Sequence, residues 1–539
     1  MTSASSRVSL SLRRRSAICR RRRHLRHDDG GHSRHHHVNN NIGGLLSARS
    51  LPRDLNPGSS IDGEDDDDEQ DIMNDGFTIY DEEVLQIETL RATLEPRPSP
   101  FTVDNNGGIG FCSDNDRIVI HSLEYASQES AGASCGQGGI FLDEETCMPI
   151  PKYALRSGPR KTIYHDPSTV RCAIVTCGGL CPGLNDVVRQ LVLSLEDYGV
   201  GEHNDSTILG IYYGLGGFLD HSMPPAHLNY LAVDGIQERG GTLLGTSRGG
   251  ADIPAIADQI EKMHLDMVFV IGGNGGNRAA LAIHRELRKR ENPKCCVIGI
   301  PKSIDNDILL IDRCFGFDTA VEQAVSAIYA ANVEATSARN GVGVVKLMGR
   351  QSGYIAMYAS MASGEVDLCL TPEVPFEMDG ALHHIEQVVH RRGHAVVVVA
   401  EGAGQDLLGN NHNNGYDVKT DASGNPILQD IGPYIRDAIK AHFRSTGSHA
   451  DVKYIDPSYI IRAASTNPAD KLYCQILAQG AVHAAFSGCS GVTTGLVNGH
   501  YVWVPIETVV EKPRKVDIRG RMWARLLAMT KQPAWGTTS

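Results

Sequence analysis

The run Met267-Val-Phe-Val-Ile271, continued by Gly272-Gly-Asn-Gly-Gly276 and a helical pattern over Arg278–Arg290, decides the fold. Five apolar residues in a row suit a strand buried on both faces, the position of a strand in a parallel sheet covered by helices. A glycine turn and an amphipathic stretch then complete one βα unit. Similar units run outward from it. Arg171-Cys-Ala-Ile-Val-Thr176 leads into Cys177-Gly-Gly-Leu-Cys-Pro-Gly183 and an amphipathic stretch through Leu195. Cys296-Val-Ile-Gly-Ile300 leads to Pro301-Lys-Ser-Ile-Asp-Asn-Asp307, and Gly343-Val-Val-Lys-Leu-Met348 to Gly349-Arg-Gln-Ser-Gly353 and a helix. Ala395-Val-Val-Val-Val-Ala400 ends at Glu401-Gly402. Strands alternating with helices define a doubly wound α/β class. Ligands of such sheets bind beyond the carboxyl ends of the strands, where each of these turns lies.

The rest of the chain narrows the function classes. With 539 residues it has length for several domains, and a net charge of -13 argues against general nucleic-acid binding. No apolar run approaches the roughly 20 residues that cross a bilayer, so no membrane partner is expected. The 13 cysteines are scattered, and neither Cys177 nor Cys181 has the neighbours of a zinc site, so a reducing compartment is expected. Residues 1–76 hold two arginine clusters, His35-His36-His37 and an acidic block from Asp62 to Glu69, and are expected to be disordered. Residues 1–27 lack acids and are rich in Ser and Arg, as in an organellar transit peptide or an unselected low-complexity tail.

The chain contains neither Gly-x-x-x-x-Gly-Lys-Ser/Thr nor Gly-x-Gly-x-x-Gly. The absent dinucleotide fingerprint discourages a nicotinamide-dependent dehydrogenase. The glycine turns at 178–183 and 272–276 still offer backbone amides beside helix N-termini, which favour anions, although each alone also reads as a tight connection. The polar set is more telling. Arg248 lies in Gly245-Thr-Ser-Arg-Gly-Gly250, Lys302 and Arg350 each follow an apolar run, and Arg462 ends Tyr459-Ile-Ile-Arg462. Cations at strand ends and in glycine turns suit phosphate oxygens. Asp305 and Asp307 flank Asn306; alone this reads as an Asx turn. Together with the cations, it supplies what magnesium-assisted phosphoryl transfer needs.

Five ordered motifs then make the pattern specific: Gly178-Gly-x-x-Pro-Gly183, Gly240-Gly-Thr-Leu-Leu-Gly245, Gly272-Gly-Asn-Gly275, Pro301–Asp307 and Met348-Gly-Arg350. Over roughly residues 170–510 the chain resembles the phosphofructokinases, and Val344-Val-Lys-Leu-Met-Gly-Arg350 and Val452-Lys-Tyr-Ile-Asp-Pro457 are similar to the plant-type ATP-using branch. The resemblance implies two stacked α/β/α (Rossmann-like) domains with parallel-sheet cores and the active site in the cleft between them. It implies phosphoryl transfer from MgATP to the 1-hydroxyl of fructose 6-phosphate, with Mg2+ as cofactor, and an allosteric homotetramer. Asp305 is then the base, Ser303 bonds the transferring phosphoryl group, and Arg350 offsets its charge. Ser303, Ile304, Asp305, Met348, Gly349, Arg350, Glu401, Tyr459, Ile460, Ile461 and Arg462 hold the sugar phosphate. Gly179, Arg248, Gly249, Gly273, Asn274, Gly275 and Gly276 hold the nucleotide, and Asn274 with Asp307 the metal.

Three positions qualify this. Many relatives carry Asp where this chain has Asn274, which leaves an oxygen ligand without its charge. An Arg of the family that reaches a neighbouring subunit is replaced by Gly341. Gly275 leaves room for a nucleotide α-phosphate where pyrophosphate users place Asp, whereas Lys302 occurs in both groups; Gly275 decides for ATP. The alternatives are a pyrophosphate-dependent enzyme and a noncatalytic sugar-phosphate sensor. The expected boundaries are 77–166 for an extension, 167–312 for a nucleotide domain, 313–471 for a sugar-phosphate domain, and 472–539 for a segment returning to the first. The expected compartment is the cytosol, with a plastid or mitochondrion as the alternative.

Overall fold

The computed structural model describes residues 83–101, 110–121, 152–203, 205–249, 252–290, 293–409 and 427–535. The expectations for residues 1–76, the His triplet included, lie outside the described residues. In chain order the strands that matter here are β1 (Arg117–Val119), β2 (Tyr153–Arg156), β3 (Arg171–Thr176), β4 (Thr207–Ile211), β5 (Ala226–His227), β6 (Met267–Gly272) and β7 (Cys296–Pro301). They continue with β8 (Gly341–Leu347), β9 (Leu368–Leu370), β10 (His394–Ala400), β11 (Asp451–Ile455), β12 (Val492–Val497) and β13 (His500–Pro505). The helices are α1 (Leu184–Asp197), α2 (Ile253–Lys262), α3 (Asn274–Arg288), α4 (Phe317–Thr336) and α5 (Tyr354–Ser363). Then follow α6 (Met378–Arg392), α7 (Ile431–Ser445), α8 (Ser458–Ala463), α9 (Pro468–Phe486) and α10 (Arg521–Thr530).

Two sheets organise these elements. The first has the order β1-β2-β13-β12-β7-β6-β3-β4-β5, with a parallel centre from β12 to β4 and antiparallel strands at both edges. The second, β9-β10-β8-β11, is parallel throughout. Alternate residues of one strand feed opposite layers. In β6, Phe269 and Ile271 pack with Leu184, Leu191 and Leu477 of α1 and α9, whereas Val268 and Val270 pack with Ile256, Ala280 and Ile283 of α2 and α3. The second sheet repeats this, with α4 and α5 on one face and α6 and α7 on the other. Each fully buried Val, Leu or Ile contributes about 1.5–3 kcal/mol, which explains why these strands read as unbroken apolar runs.

Three local features go beyond the sequence reading. The helix expected at Arg278–Arg290 runs from Asn274 to Arg288, so the end of the glycine turn is its first turn. Buried Asn277 donates to the carbonyls of Gly272 and Gly273 at 2.9 and 3.1 Å and holds that tight entry. Within 77–166, β1 and β2 are edge strands of the first sheet. The segment 472–539 divides: β12 and β13 join the first sheet, but α10 buries Trp523 and Leu526 beneath the second. An amphipathic terminal helix goes where apolar surface is open, which chain order does not specify.

Candidate active site

Ladder register brings the motif turns together. Thr176 of β3 pairs with Ile271 of β6, and Gly272 of β6 pairs with Pro301 of β7, so the turns beginning at Cys177, Gly273 and Lys302 emerge side by side. Chain order reverses across the β3–β6 pair, which makes this the switch point of the first sheet. In the second sheet Leu347 pairs with Ala400, which sets Arg350 beside Glu401, with Nε 4.0 Å from Oε1. Both groups of turns border one cleft of about 580 Å³.

Along its first wall lie Gly179, Arg248, Gly249, Gly273, Asn274, Gly275 and Gly276. The 245–249 loop is tied to the glycine turn: the Gly178 N–H donates to Ser247 O at 2.9 Å and Thr246 Oγ1 to Gly178 O at 2.8 Å. Gly178 has φ +88°, a conformation that glycine adopts without strain. A Cβ built on Gly275 meets nothing within 4 Å, so an added side chain there projects into open cleft. The Lys302 ammonium lies under the glycine turn, 3.5 Å from where a Gly178 Cβ would stand. Cys177 also borders the cleft, but burial pushes its thiol up to about 12, which removes it as a nucleophile.

The second wall carries Arg350, Gln351, Glu401 and Arg462, with Ser303, Ile304, Asp305 and Asp307 at the junction. Asn306 is buried with φ +56°; its side chain accepts from the Cys314 N–H at 2.8 Å and donates to Asp312 O at 3.3 Å. This left-handed residue, held from below, leaves both flanking carboxylates at the cleft. Asp305 Oδ1 is buried without a hydrogen-bond partner, and so is Asn274 Oδ1. Burial, reinforced by the charges of Asp307 and Glu401 and opposed by Arg462, pushes Asp305 up to about 7. Asp307 is also raised by burial, against a hydrogen bond from Ser303 and one from Asn274 Nδ2 at 3.1 Å. A carboxylate near neutrality can take a proton from an alcohol and give it up again.

Several residues read from the sequence as sugar-phosphate contacts are not among those that line the cleft. Met348 and Ile461 are buried in the cluster beneath the second sheet, where Met348 Sδ lies 3.3 Å from Arg462 Nε. Tyr459 and Ile460 on α8 are 82% and 70% exposed and do not line the cleft. A short helix presents successive residues to different sides, so of that motif only Arg462 reaches the cleft. Gly349 serves the turn: it has φ +131°, and a Cβ there would stand 2.4 Å from Ser352 O. Gly341 admits no side chain, since a Cβ would stand 2.0 Å from Ala335 O. The sequence reading missed Leu215, Arg278, Ala279, Gln351 and Pro513, which also line the cleft. Pro513 carried no local signal, since it arrives from the far end of the chain.

Among the described residues no three His, Cys, Asp or Glu side chains group as metal ligands. The buried, unpartnered oxygen of Asn274 beside the Asp307 carboxylate is nevertheless suited to a hard cation. Magnesium usually takes only one or two such protein oxygens and completes its shell with phosphates and water.

Carboxylates and cations gathered at the carboxyl ends of the parallel strands of two sheets place the chain among α/β proteins that handle phosphorylated ligands. The sequence model described as Phosphofructokinase matches residues 171–485. The chain is 46% identical over 456 residues to "ATP-dependent 6-phosphofructokinase 5, chloroplastic" of Arabidopsis thaliana, covering 83% of this chain and 81% of that protein. It is 43% identical over 446 residues to ATP-dependent 6-phosphofructokinase of Borreliella burgdorferi, covering 80% and 97%. A pyrophosphate-dependent phosphofructokinase from Marinobacter aquaeolei shares the fold, with a TM-score of 0.54 at 20% identity over 69% of this chain and 92% of that one. The chain belongs to the phosphofructokinase family.

Proposed function

We propose that the chain transfers the γ-phosphoryl group of MgATP to the 1-hydroxyl of D-fructose 6-phosphate, giving fructose 1,6-bisphosphate and ADP. One observation carries this reading: Asp305, Arg350 and the open Gly275 border the same cleft. The Asp305 carboxylate accepts the hydroxyl proton as the new O–P bond forms and the bond from the γ-phosphorus to the β–γ bridging oxygen breaks. Arg350 offsets charge on the phosphoryl oxygens, and Ser303 supplies a hydroxyl beside them. Arg248, Lys302 and the amides of Gly179 and Gly273–Gly276 receive the nucleotide phosphates. Asn274 and Asp307 would hold the magnesium ion, which neutralises phosphate charge when bound. Glu401 and Arg462 orient the sugar phosphate.

The donor reading is ATP, because Gly275 leaves the space a nucleotide needs, and the relatives named above as ATP-dependent support it. A coupled assay with fructose 6-phosphate, magnesium and either ATP or pyrophosphate tests it. ATP-driven formation of the bisphosphate is expected. Turnover with pyrophosphate alone overturns the donor, and binding without turnover by either supports a sensor. Self-association as a homotetramer is part of the same reading and is measured by light scattering. The similar Arabidopsis protein is named chloroplastic, so a reporter fused to residues 1–76 decides between cytosol and plastid.

A further inference from the structure

We infer that residues 513–516 form a strap that sets the spacing of the two catalytic turns, with Arg514 as its principal positioning residue. This rests on the function proposed above. The strap hangs between two anchors. Before it, Ile506 and Val509 are buried against the first sheet's helical layer; after it, Trp523 and Leu526 are buried beneath the second sheet. Between them it borders the cleft, which Pro513 lines.

Its contacts fall on the turns that carry the chemistry. The Arg514 N–H donates to Asp307 O at 2.8 Å, and its Nη1 donates to Ile311 O and Asp312 O at 2.8 and 2.9 Å. These bonds hold the segment that follows Asp305. The same guanidinium lies over the Tyr354 ring, 5.0 Å from its centroid, and the Tyr354 hydroxyl donates to Lys515 O at 2.7 Å. One residue on, the Val516 N–H donates to Glu373 Oε1 at 2.9 Å, and that same oxygen accepts the Gly353 N–H at 2.9 Å. Gly353 ends the turn that carries Arg350. The Arg514 backbone thus holds the end of the Ser303–Asp307 turn, and its guanidinium braces the Ile311–Asp312 segment that continues that turn. One shared carboxylate oxygen of Glu373 ties the same strap to the Arg350–Gly353 turn. Neither residue touches the reacting atoms. Misplacement of reacting groups by about 1 Å can cost 10²-fold in rate, so a tie of this kind acts on turnover rather than on ligand affinity.

The test compares Arg514→Met, Arg514→Lys, Glu373→Ala and Glu373→Gln, with kcat expressed per folded molecule. Arg514→Met is expected to lose at least tenfold in kcat while KM for both substrates moves less than threefold. Arg514→Lys, which keeps a cationic donor, recovers part of the loss. Glu373→Ala falls likewise, whereas Glu373→Gln keeps an acceptor and stays within threefold. A kcat within twofold of the parent in Arg514→Met overturns the inference, whatever happens to the melting temperature. If Arg514→Met does not fold, Glu373→Ala decides on the same criterion. A parent without turnover defeats the function reading instead. The strap is then judged by amide exchange at Gly353, which must quicken at least tenfold in Glu373→Ala; unchanged exchange overturns it.

Discussion

Ser352 Oγ donates to the backbone carbonyl of Asp305 at 3.0 Å, joining the turn after β8 to the turn after β7. The two residues are far apart in sequence and belong to different sheets, yet this bond fixes the proposed base against the loop that carries Arg350. Ser352 is 1% exposed, so the donor is sheltered from water. Ser352→Ala is expected to cost about 1–2 kcal/mol of stability, because the Asp305 carbonyl loses its buried donor. Urea unfolding of the two proteins measures it, and an unchanged midpoint speaks against the tie.

Asp305→Asn is expected to keep fructose 6-phosphate binding and lose at least 10³-fold in kcat, since an amide accepts no proton. Stability supplies a second reading with a definite sign. The folded pKa of about 7 lies above the ordinary carboxylate value. The neutral form is therefore favoured by folding, and this stabilisation is present at low pH and lost as pH rises through 7. The variant is expected to be more stable than the parent by roughly 2–4 kcal/mol above pH 8 and to show no advantage near pH 4. Melting curves across that range check it.

Glu401→Gln removes one of the negative charges that hold Asp305 high. The acid limb of the kcat/KM profile, expected near pH 7 in the parent, should move to lower pH in this variant. An immobile limb would assign it to another group.

Arg350→Ala is expected to reduce kcat/KM by about 10²–10³, the usual cost of about 3–4 kcal/mol for losing one donor to transition-state charge. Arg350→Lys should recover only part, because an ammonium cannot reproduce the guanidinium fork. Steady-state kinetics with both variants settle the point.

Gly275→Asp introduces a carboxylate into space that is open in the parent. The KM for ATP is expected to rise at least tenfold with little change for fructose 6-phosphate, through repulsion of the nucleotide phosphates. An unchanged KM would place the nucleotide elsewhere.

The strands and the polar turns behind them were legible because both are local signals. A strand buried on both faces is apolar along its buried centre, as in Cys172–Val175, Met267–Ile271 and Ala395–Ala400, and the glycine turns mark where each one stops. The chemical identity of the turn residues, Asp305, Arg350 and Lys302 among them, was equally open to reading. Ladder register and packing decided the rest. Pairing of Gly272 with Pro301 and of Leu347 with Ala400 brings distant turns to one cleft, and desolvation there sets the proton affinity of Asp305. Burial of Met348 and Ile461 and arrival of the 513–516 strap depend on surfaces built by residues far away in the sequence. The order of residues along the chain determined which groups were available; three-dimensional packing determined which of them meet, because contacts between remote segments leave no period in the sequence.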